Sequence, residues 1–225
     1  MKLEHHYIVT DNVKLHYVDK GDPANKPIIL LHTLQDCASN WGPLMKQLSS
    51  DYRTLALDYR GHGESDWVNP NLYLPDNYAS DVEALILNLD LENVVLIGHS
   101  IGTRIAIEYA KRNPSNVTAI IALDYDFALT SEHELSNLAS RKWDSFDTLI
   151  ENLRHLQPNS DPVILKYQAL NLAKKVDGGK IIWRSDPAAL HFQNNREPIH
   201  PLLVPTCPIL ILQGRQSLVL SHEQA

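Results

Sequence analysis

The chain has 225 residues, of which 44% are hydrophobic and 21% are charged. This length and composition are typical of a globular domain with a sizeable core, and they argue against a disordered or fibrous protein. The formal net charge of −7 argues against a general nucleic-acid or anionic-membrane surface, because both need clustered Lys and Arg.

The N-terminus and the cysteines bear on where the protein works. The stretch MKLEHHYIVT carries charge and histidine where a signal peptide needs an apolar run. The longest apolar runs, such as residues 28–31, are far too short to span a bilayer. Cys37 and Cys207 each lie beside a predicted strand, where a small buried thiol is the common case. We therefore expect a cytoplasmic protein with no export signal, membrane anchor or disulfide.

The first half of the chain alternates strand and helix patterns. The stretch HHYIVTDNVKLHYVDKGD predicts two antiparallel strands around a turn at Asp11 and Asn12. Short runs rich in Ile, Leu and Val then follow in order: PIILLH, YRTLALDY, NVVLIGH and VTAIIALD. Helical patterns separate these runs, including NYASDVEALILNLDL and IGTRIAIEYAKRN. This alternation predicts an α/β fold with a mainly parallel sheet and helices on both faces.

Residues 129–203 interrupt this rhythm. Their first part, SEHELSNLASRKWDSFDTLIENLRHL, is amphipathic and helical, and NSDPVILKYQALNLAKK continues the helical pattern. Gly178-Gly179 and several prolines follow before CPILILQG resumes a strand pattern. We therefore predict a core over 1–128, a helical insertion over 129–203 that forms a lid over strand ends, and a resumed core over 204–225.

The junction between NVVLIGH and the next helix carries a motif with a catalytic use. Residues 98–102 match Gly-X-Ser-X-Gly, in which small residues flank a tight turn that holds the hydroxyl of Ser100 above the sheet. Ser100 also starts a helix, where the dipole and free amides favour developing negative charge. A chance glycine–serine turn is the alternative interpretation, and the strand-turn-helix setting argues against it.

Two further motifs follow neighbouring strands. ILLHTLQDCASNW places His32 at a strand end, and LALDYRGHGESDW carries Asp-X-Arg-Gly-X-Gly-X-Ser at residues 58–65. With the serine turn, these ordered motifs make the sequence resemble the α/β-hydrolase family from about residue 5 to its last residue. Two positions depart from the family pattern: Thr33 and Thr103 stand where glycines are common.

The resemblance implies roles for several residues. Ser100 would be the nucleophile, and the backbone N–H groups of Leu34 and Ile101 would form the oxyanion hole. Asp124, at the end of VTAIIALD, occupies the place of the acid in a subgroup of small esterases. Asp126 is the alternative acid, because a small shift in register would exchange the two.

Other residues have weaker claims to a catalytic role. In many members of the family the acid follows the strand matched here by CPILILQG, but GRQSLVL offers Ser217 and no carboxylate before Glu223. His32 and His62 are expected to be structural rings that brace the backbone of their loops. No metal-ligand or cofactor motif accompanies these residues, so we expect neither a cofactor nor a metal.

The histidine that should serve Ser100 has no clear position. In this family the base follows the acid in the chain and lies in a loop after the last core strand. His99 adjoins Ser100, and neighbouring side chains diverge, so His99 is not expected to reach the hydroxyl. His191, His200 and His222 satisfy the chain order, but each is explained more simply as a surface or lid residue. We expect the final strand and the base histidine to be missing from these 225 residues.

The predicted activity is hydrolysis of a small carboxylic ester through an acyl-enzyme on Ser100. Dehalogenation and epoxide opening use an aspartate nucleophile on this fold, so a serine counts against both. Carbon–carbon bond and thioester hydrolysis use the same serine machinery and stay alternatives, as does a non-catalytic homologue that binds a ligand or regulates a partner. The expected partner is a small-molecule ester, with no nucleic acid and no membrane, and the oligomeric state is left open.

Overall fold

The computed structural model describes residues 3–127, 138–190, 205–215 and 217. Within them the strands are β1 (Glu4–Thr10), β2 (Val13–Lys20), β3 (Lys26–Leu31), β4 (Tyr52–Leu57), β5 (Val94–His99), β6 (Val117–Leu123), β7 (Lys142–Trp143), β8 (Ala173–Lys175), β9 (Ile181–Trp183) and β10 (Ile209–Leu212). The main sheet has the order β1-β2-β4-β3-β5-β6-β10. β2 pairs antiparallel with β1 and β4, and the other neighbours are parallel. The predicted mainly parallel α/β sheet is confirmed.

Helices cover both faces of this sheet. The described helices are α1 (Gly42–Leu48), α2 (Pro75–Asn88), α3 (Ile101–Arg112), α4 (Phe146–Leu156) and α5 (Pro162–Leu172). Ile29 and Leu31 of β3 pack in one cluster with α2 and α3, whereas Ile28 and Leu30 pack with α1 on the other face. Successive strand residues point to opposite faces, so a strand covered on both sides reads as a continuous apolar run.

The hairpin of β1 and β2 forms at the predicted turn. Asp11 and Asn12 have φ angles of 46° and 63°. A two-residue hairpin turn needs positive φ at its central positions, and Asp and Asn tolerate that conformation better than most residues. Thr10 therefore pairs with Val13 directly across the turn.

The insertion contains strands that the sequence analysis did not predict. Residues 138–190 hold α4 and α5, as the amphipathic pattern indicates, and also an antiparallel sheet of order β7-β9-β8. The helical pattern was expected to continue to Lys175, but α5 ends at Leu172 and β8 follows. A strand this short shows no alternation, and its pairing with Ile181–Trp183 decides its conformation.

The insertion packs against the core through its own hydrophobic cluster. The cluster includes Trp143 and Trp183 together with buried leucines of α4 and α5, and Cys37 from the loop after β3 belongs to it. Residues 128–137 and 191–204 lie outside the described residues, so the bounds of the insertion stay a prediction. Among the helices that the structure describes, none has both the length and the apolar character needed to cross a bilayer.

Candidate active site

Ser100 lies at the junction of β5 and α3, as predicted. It caps the N-terminus of α3 with φ 52° and ψ −118°. A non-glycine residue with positive φ is strained, and strain of this kind persists only where the surrounding structure enforces it. The Ser100 N–H donates to the carbonyl oxygen of Leu123, at the end of β6, over 3.0 Å. This bond holds the turn against the neighbouring strand.

The two glycines of the motif are required because backbone surrounds them. A Cβ added at Gly98 would lie 2.3 Å from the nitrogen of Thr103, and one added at Gly102 would lie 2.2 Å from the carbonyl oxygen of Leu31. Neither position has room for a side chain. The motif therefore lets β5 turn sharply into α3 while α3 rests on the end of β3.

Thr103 replaces a common family glycine and contributes a bond of its own. Its side chain is fully buried. The hydroxyl donates to the carbonyl oxygen of Gly98 over 2.8 Å. This bond connects the end of β5 to the first turn of α3. This departure from the family pattern braces the serine turn.

The ends of β3, β5 and β6 lie side by side at Ser100. Leu31 pairs with Gly98, and His99 pairs with Leu123. Loops that follow parallel strands leave from one edge of the sheet, where ligand sites of α/β proteins form. The loop after β3 contains Leu34, and Ile101 begins α3, so both predicted oxyanion donors belong to elements that meet here. Their role stays a prediction.

The loop after β3 takes its positive φ at Gln35. Gln35 has φ 61°, and Thr33 is not among the described non-glycine residues with positive φ. The Asp36 N–H donates to the carbonyl oxygen of Thr33 over 3.3 Å, which closes a four-residue turn. Threonine in place of the family glycine is therefore compatible with this loop.

Asp124 follows β6 and is held by the loop after β10. Its φ is 50°. Its Oδ2 accepts a hydrogen bond from the Ser217 hydroxyl over 2.8 Å, and its Oδ1 accepts one from the Gly214 N–H over 3.3 Å. Ser217, which occupies the usual position of the family's acid, is therefore a donor to Asp124. Asp126, the alternative acid, is only 3% exposed, whereas Asp124 is half-buried.

His32 and His62 are buried in a ring cluster below the loops. The Nδ1 of His32 lies 2.7 Å from the carbonyl oxygen of Thr33. The ring centroid of His32 lies 4.4 Å from that of Tyr59. The Nδ1 of His62 lies 3.2 Å from the carbonyl oxygen of Arg60. Burial lowers the pKa of His62 to about 3, and the nearby His32 adds to this effect. Both rings fit the structural roles expected of them.

His99 is placed differently from those two rings. Its side chain lies beside a cavity next to the serine turn. Burial lowers the pKa of His99, while the charges of Asp36 and Asp124 oppose the shift. The ring is therefore neutral near pH 7, with two carboxylates close by.

The base remains unassigned among the residues described. Within residues 3–127, 138–190, 205–215 and 217, no histidine ring forms a hydrogen bond with the Ser100 side chain. His191, His200 and His222, the candidates allowed by chain order, lie outside the described residues. The base is thus still a prediction. A thiol nucleophile is disfavoured nearby, because burial raises the pKa of Cys37 well above its ordinary value.

A cavity of about 340 Å³ opens between the loop after β3 and the insertion, beside the serine turn, from which His99 but not Ser100 belongs to its lining. Its core side is formed by residues 33–36 and His99, and its other side by insertion residues that include Leu153, Gln168 and Trp183. A larger groove of about 530 Å³ lies at the opposite edge of the sheet, where Asn93 precedes β5, far from the serine turn. The smaller cavity is therefore the candidate substrate site; the sequence predicted a lid over the strand ends but not which insertion residues line the cavity.

The Asp-X-Arg-Gly motif supports the loop after β3. Asp58 is 1% exposed, and its Oδ1 accepts a hydrogen bond from the Ala38 N–H over 2.6 Å. His16 lies 2.6 Å from the Oδ2 of Asp58. Burial opposes ionisation of this carboxyl, but the His16 hydrogen bond and the nearby His32 lower its pKa overall. A Cβ at Gly63 would lie 2.1 Å from Asp58, so the motif's glycine makes room for the carboxylate.

The fold and this arrangement of loops define the class of the protein. A family model of the alpha/beta hydrolase fold matches residues 26–161, which include the serine turn and the loops after β3 and β4. The match spans more than half of the chain. The chain belongs to the α/β-hydrolase fold family.

Two similar curated proteins and one similar crystal structure have names that describe hydrolases. The chain is 28% identical over 220 residues to 2-(acetamidomethylene)succinate hydrolase of Mesorhizobium japonicum, covering 93% of this chain and 77% of that protein. A crystal structure of E-2-(acetamidomethylene)succinate hydrolase matches with a TM-score of 0.85 and 25% identity, over 99% of this chain and 85% of that one. Epoxide hydrolase 3 of Xenopus tropicalis is 30% identical over 142 residues, which cover 59% of this chain and 39% of that protein. These likenesses support a hydrolase.

Proposed function

We propose that the chain is a serine hydrolase that cleaves small carboxylic esters through an acyl-enzyme intermediate. The observation that carries the proposal is the strained strand-to-helix turn that presents Ser100 at the N-terminus of α3. In the proposed reaction the Ser100 hydroxyl oxygen attacks the ester carbonyl, and the N–H groups of Leu34 and Ile101 bind the oxyanion. Water then releases the acyl group by the same route.

Asp124 is the proposed acid of the triad. It follows the strand next to that of Ser100, and the hydrogen bonds from Ser217 and Gly214 fix the orientation of its carboxylate. An oriented carboxylate holds the base histidine in the tautomer that accepts the serine proton. The base histidine is not assigned to a residue, and the three histidines that satisfy the chain order, His191, His200 and His222, are the positions to test.

The candidate cavity supports a substrate of modest size. Its volume of about 340 Å³ is near the lower end of small-molecule sites, which span roughly 300–1,000 Å³. Leu153 and Leu172 supply apolar walls, and Asp36 and Gln168 add polar groups. Such a lining suits a short acyl chain with a polar substituent.

Other bond types use the same serine chemistry and belong in the first substrate panel. Carbon–carbon bond and thioester hydrolysis both proceed through a serine nucleophile and an oxyanion hole. The amide-bearing compound in the name of the Mesorhizobium relative belongs in the panel as well. Epoxide opening is disfavoured despite the Xenopus relative, since Ser100 stands where that chemistry uses an aspartate.

The first experiment tests for an acyl-enzyme on Ser100. The protein is incubated with p-nitrophenyl acetate, with p-nitrophenolate release followed by absorbance and the adduct located by peptide mass spectrometry. We expect acetylation at Ser100 and loss of release in Ser100→Ala. Variants His191→Gln, His200→Gln and His222→Gln then test, by slowed acylation, whether one of these histidines is the base. Release that is equal in Ser100→Ala would contradict the proposal.

The rival interpretation is a ligand-binding homologue without catalysis, and the same preparation tests it. Trp183 lines the cavity, so short carboxylic acids and amides that bind there are expected to change tryptophan fluorescence. Saturable binding without any Ser100 adduct would favour the ligand-binding interpretation. Adduct formation at Ser100 favours the hydrolase.

A further inference from the structure

The turn at residues 33–36 adopts a conformation that its sequence disfavours. The Asp36 N–H bonds to the carbonyl of Thr33, and the third residue of the turn, Gln35, has φ 61°. This is the pattern of a type II turn, whose third position favours glycine or asparagine because φ is positive there. A glutamine at this position is strained, so contacts elsewhere must hold it.

Two such contacts come from the insertion. The indole N–H of Trp183, on β9, donates to the main-chain carbonyl of Gln35 over 2.6 Å, from 148 residues away in the chain. The main-chain N–H of Ala139 donates to the Gln35 side-chain Oε1 over 2.8 Å. Trp183 is 2% exposed and Ala139 is 8% exposed, so both bonds are shielded from water. Buried hydrogen bonds are costly to lose, because the groups left behind have no solvent to bond.

We propose that Trp183 is a positioning residue that sets the oxyanion loop from the insertion. Its bond to Gln35 holds the turn in the strained form, and the turn carries the backbone N–H of Leu34. This inference rests on the proposed function, in which Leu34 is an oxyanion donor. Trp183 acts through Gln35 and touches no reacting atom in this role.

The arrangement couples the insertion to the chemistry. The cavity is lined on one side by Leu34 and Gln35 and on the other by Trp183. The hydrogen bond between Trp183 and Gln35 therefore connects the two sides of the cavity. When the insertion is seated, the turn is held for catalysis. When the Trp183 bond is broken, the turn relaxes toward negative φ at Gln35. The Leu34 N–H then no longer points at the position of the oxyanion.

Two matched tryptophan variants test the proposal. Trp183→Phe removes the indole N–H and keeps an aromatic ring. Trp143→Phe makes the same change in the same cluster, where the two ring centroids lie 5.7 Å apart, and the Trp143 indole makes no hydrogen bond to the described residues of the loop after β3. Loss of a whole oxyanion donor lowers kcat by roughly 10²–10³-fold, so a misaimed donor is expected to cost about tenfold. We expect that loss in Trp183→Phe, with KM nearly unchanged, and none in Trp143→Phe.

Substitution of Gln35 by glycine distinguishes two causes of a lower kcat in Trp183→Phe: loss of the bond that holds the strained turn, and loss of side-chain packing. Glycine adopts φ near 60° without penalty, so Gln35→Gly no longer needs the Trp183 bond to hold the turn. Adding Gln35→Gly to Trp183→Phe is expected to recover most of the lost kcat relative to Gln35→Gly alone. A tenfold loss that persists in the glycine background would overturn the proposal, as would equal losses in both tryptophan variants.

Amide hydrogen exchange provides a readout that needs no activity. The Asp36 N–H closes the turn, so its exchange is expected to accelerate by about tenfold or more in Trp183→Phe and to be unchanged in Trp143→Phe. Unchanged exchange in Trp183→Phe would overturn the proposal even if kcat fell. If Ser100→Ala hydrolyses the ester as fast as the unsubstituted protein, the proposed function fails, while the exchange comparison still decides whether Trp183 holds the turn.

Discussion

Substitution of Gly102 by alanine is expected to disturb the serine turn directly. An added Cβ would lie 2.2 Å from the carbonyl oxygen of Leu31, 2.7 Å from its carbonyl carbon and 3.0 Å from the carbonyl oxygen of His32. All three are backbone atoms at the end of β3, so no side chain can rotate away. Because non-bonded carbon and oxygen rarely approach within about 3 Å, the start of α3 must move by about 1 Å.

The magnitude follows from two opposing effects. Overpacking of a dense interior costs about 1–3 kcal/mol, and a rigid backbone neighbour puts Gly102→Ala in the upper part of that range. Alanine is favoured over glycine inside a helix by about 1 kcal/mol, which offsets part of the cost. We expect the free energy of unfolding to fall by about 1–2 kcal/mol. A shift of about 1 Å beside the nucleophile is also expected to lower kcat/KM by about 10²-fold.

Urea unfolding followed by tryptophan fluorescence measures the first effect, and p-nitrophenyl acetate hydrolysis measures the second. Gly214→Ala is the control, because a Cβ there would meet its nearest neighbours, Ser217 and Asp124, at ordinary distances of 3.7–3.8 Å. The control is expected to change stability by less than about 0.5 kcal/mol. If Gly102→Ala is as stable as the control, the close approach of α3 to β3 is not what requires glycine.

Three further substitutions test other parts of the site. The pKa of His62 is about 3 in the folded protein against 6.5 when unfolded, so lowering the pH from 7 to 5 favours unfolding. In His62→Gln the loss of stability between pH 7 and pH 5 should therefore be smaller by about 2 kcal/mol, as measured by urea titrations at both pH values. Thr103→Val should lower stability by about 0.5–1.5 kcal/mol, since it removes a buried hydrogen bond to the carbonyl of Gly98, whereas Thr103→Ser keeps the bond and serves as control in the same titration. Asp124→Asn should lower kcat by roughly 10⁴-fold if the base needs this carboxylate, with KM nearly unchanged in steady-state assays.

The sheet and the serine turn could be predicted from local sequence. Residues 28–31 are apolar without interruption because both faces of β3 are covered, and this pattern needs no knowledge of the rest of the chain. The requirement for Gly98 is likewise local, since the atoms that exclude a side chain there lie within a few residues of it, whereas Gly102 is excluded by the distant backbone of β3. A motif constrained by its own backbone is readable from sequence.

The lining of the candidate cavity and the contacts of Gln35 could not be predicted in this way. The Trp183 bond to Gln35 joins residues 148 apart, and both residues look ordinary in their own segments. A glycine at position 35 would have marked the positive φ, but the glutamine conceals it because tertiary bonds compensate the strain. The short strand β8 was missed for a related reason, since its partner β9 and not its own pattern decides its conformation.

The topology of the sheet bears on the choice between Asp124 and Asp126 as the proposed acid. β6 and β10 are parallel neighbours, and the Asp124 N–H donates to the carbonyl oxygen of Leu212, the last residue of β10, over 2.8 Å. The loops after these two strands therefore share one space, so a carboxylate carried by either could face the same histidine. Ser217 lies in this space as a donor to the Asp124 carboxylate. The serine at 217 is thus an argument for Asp124 as the proposed acid, because its hydroxyl binds that carboxylate directly.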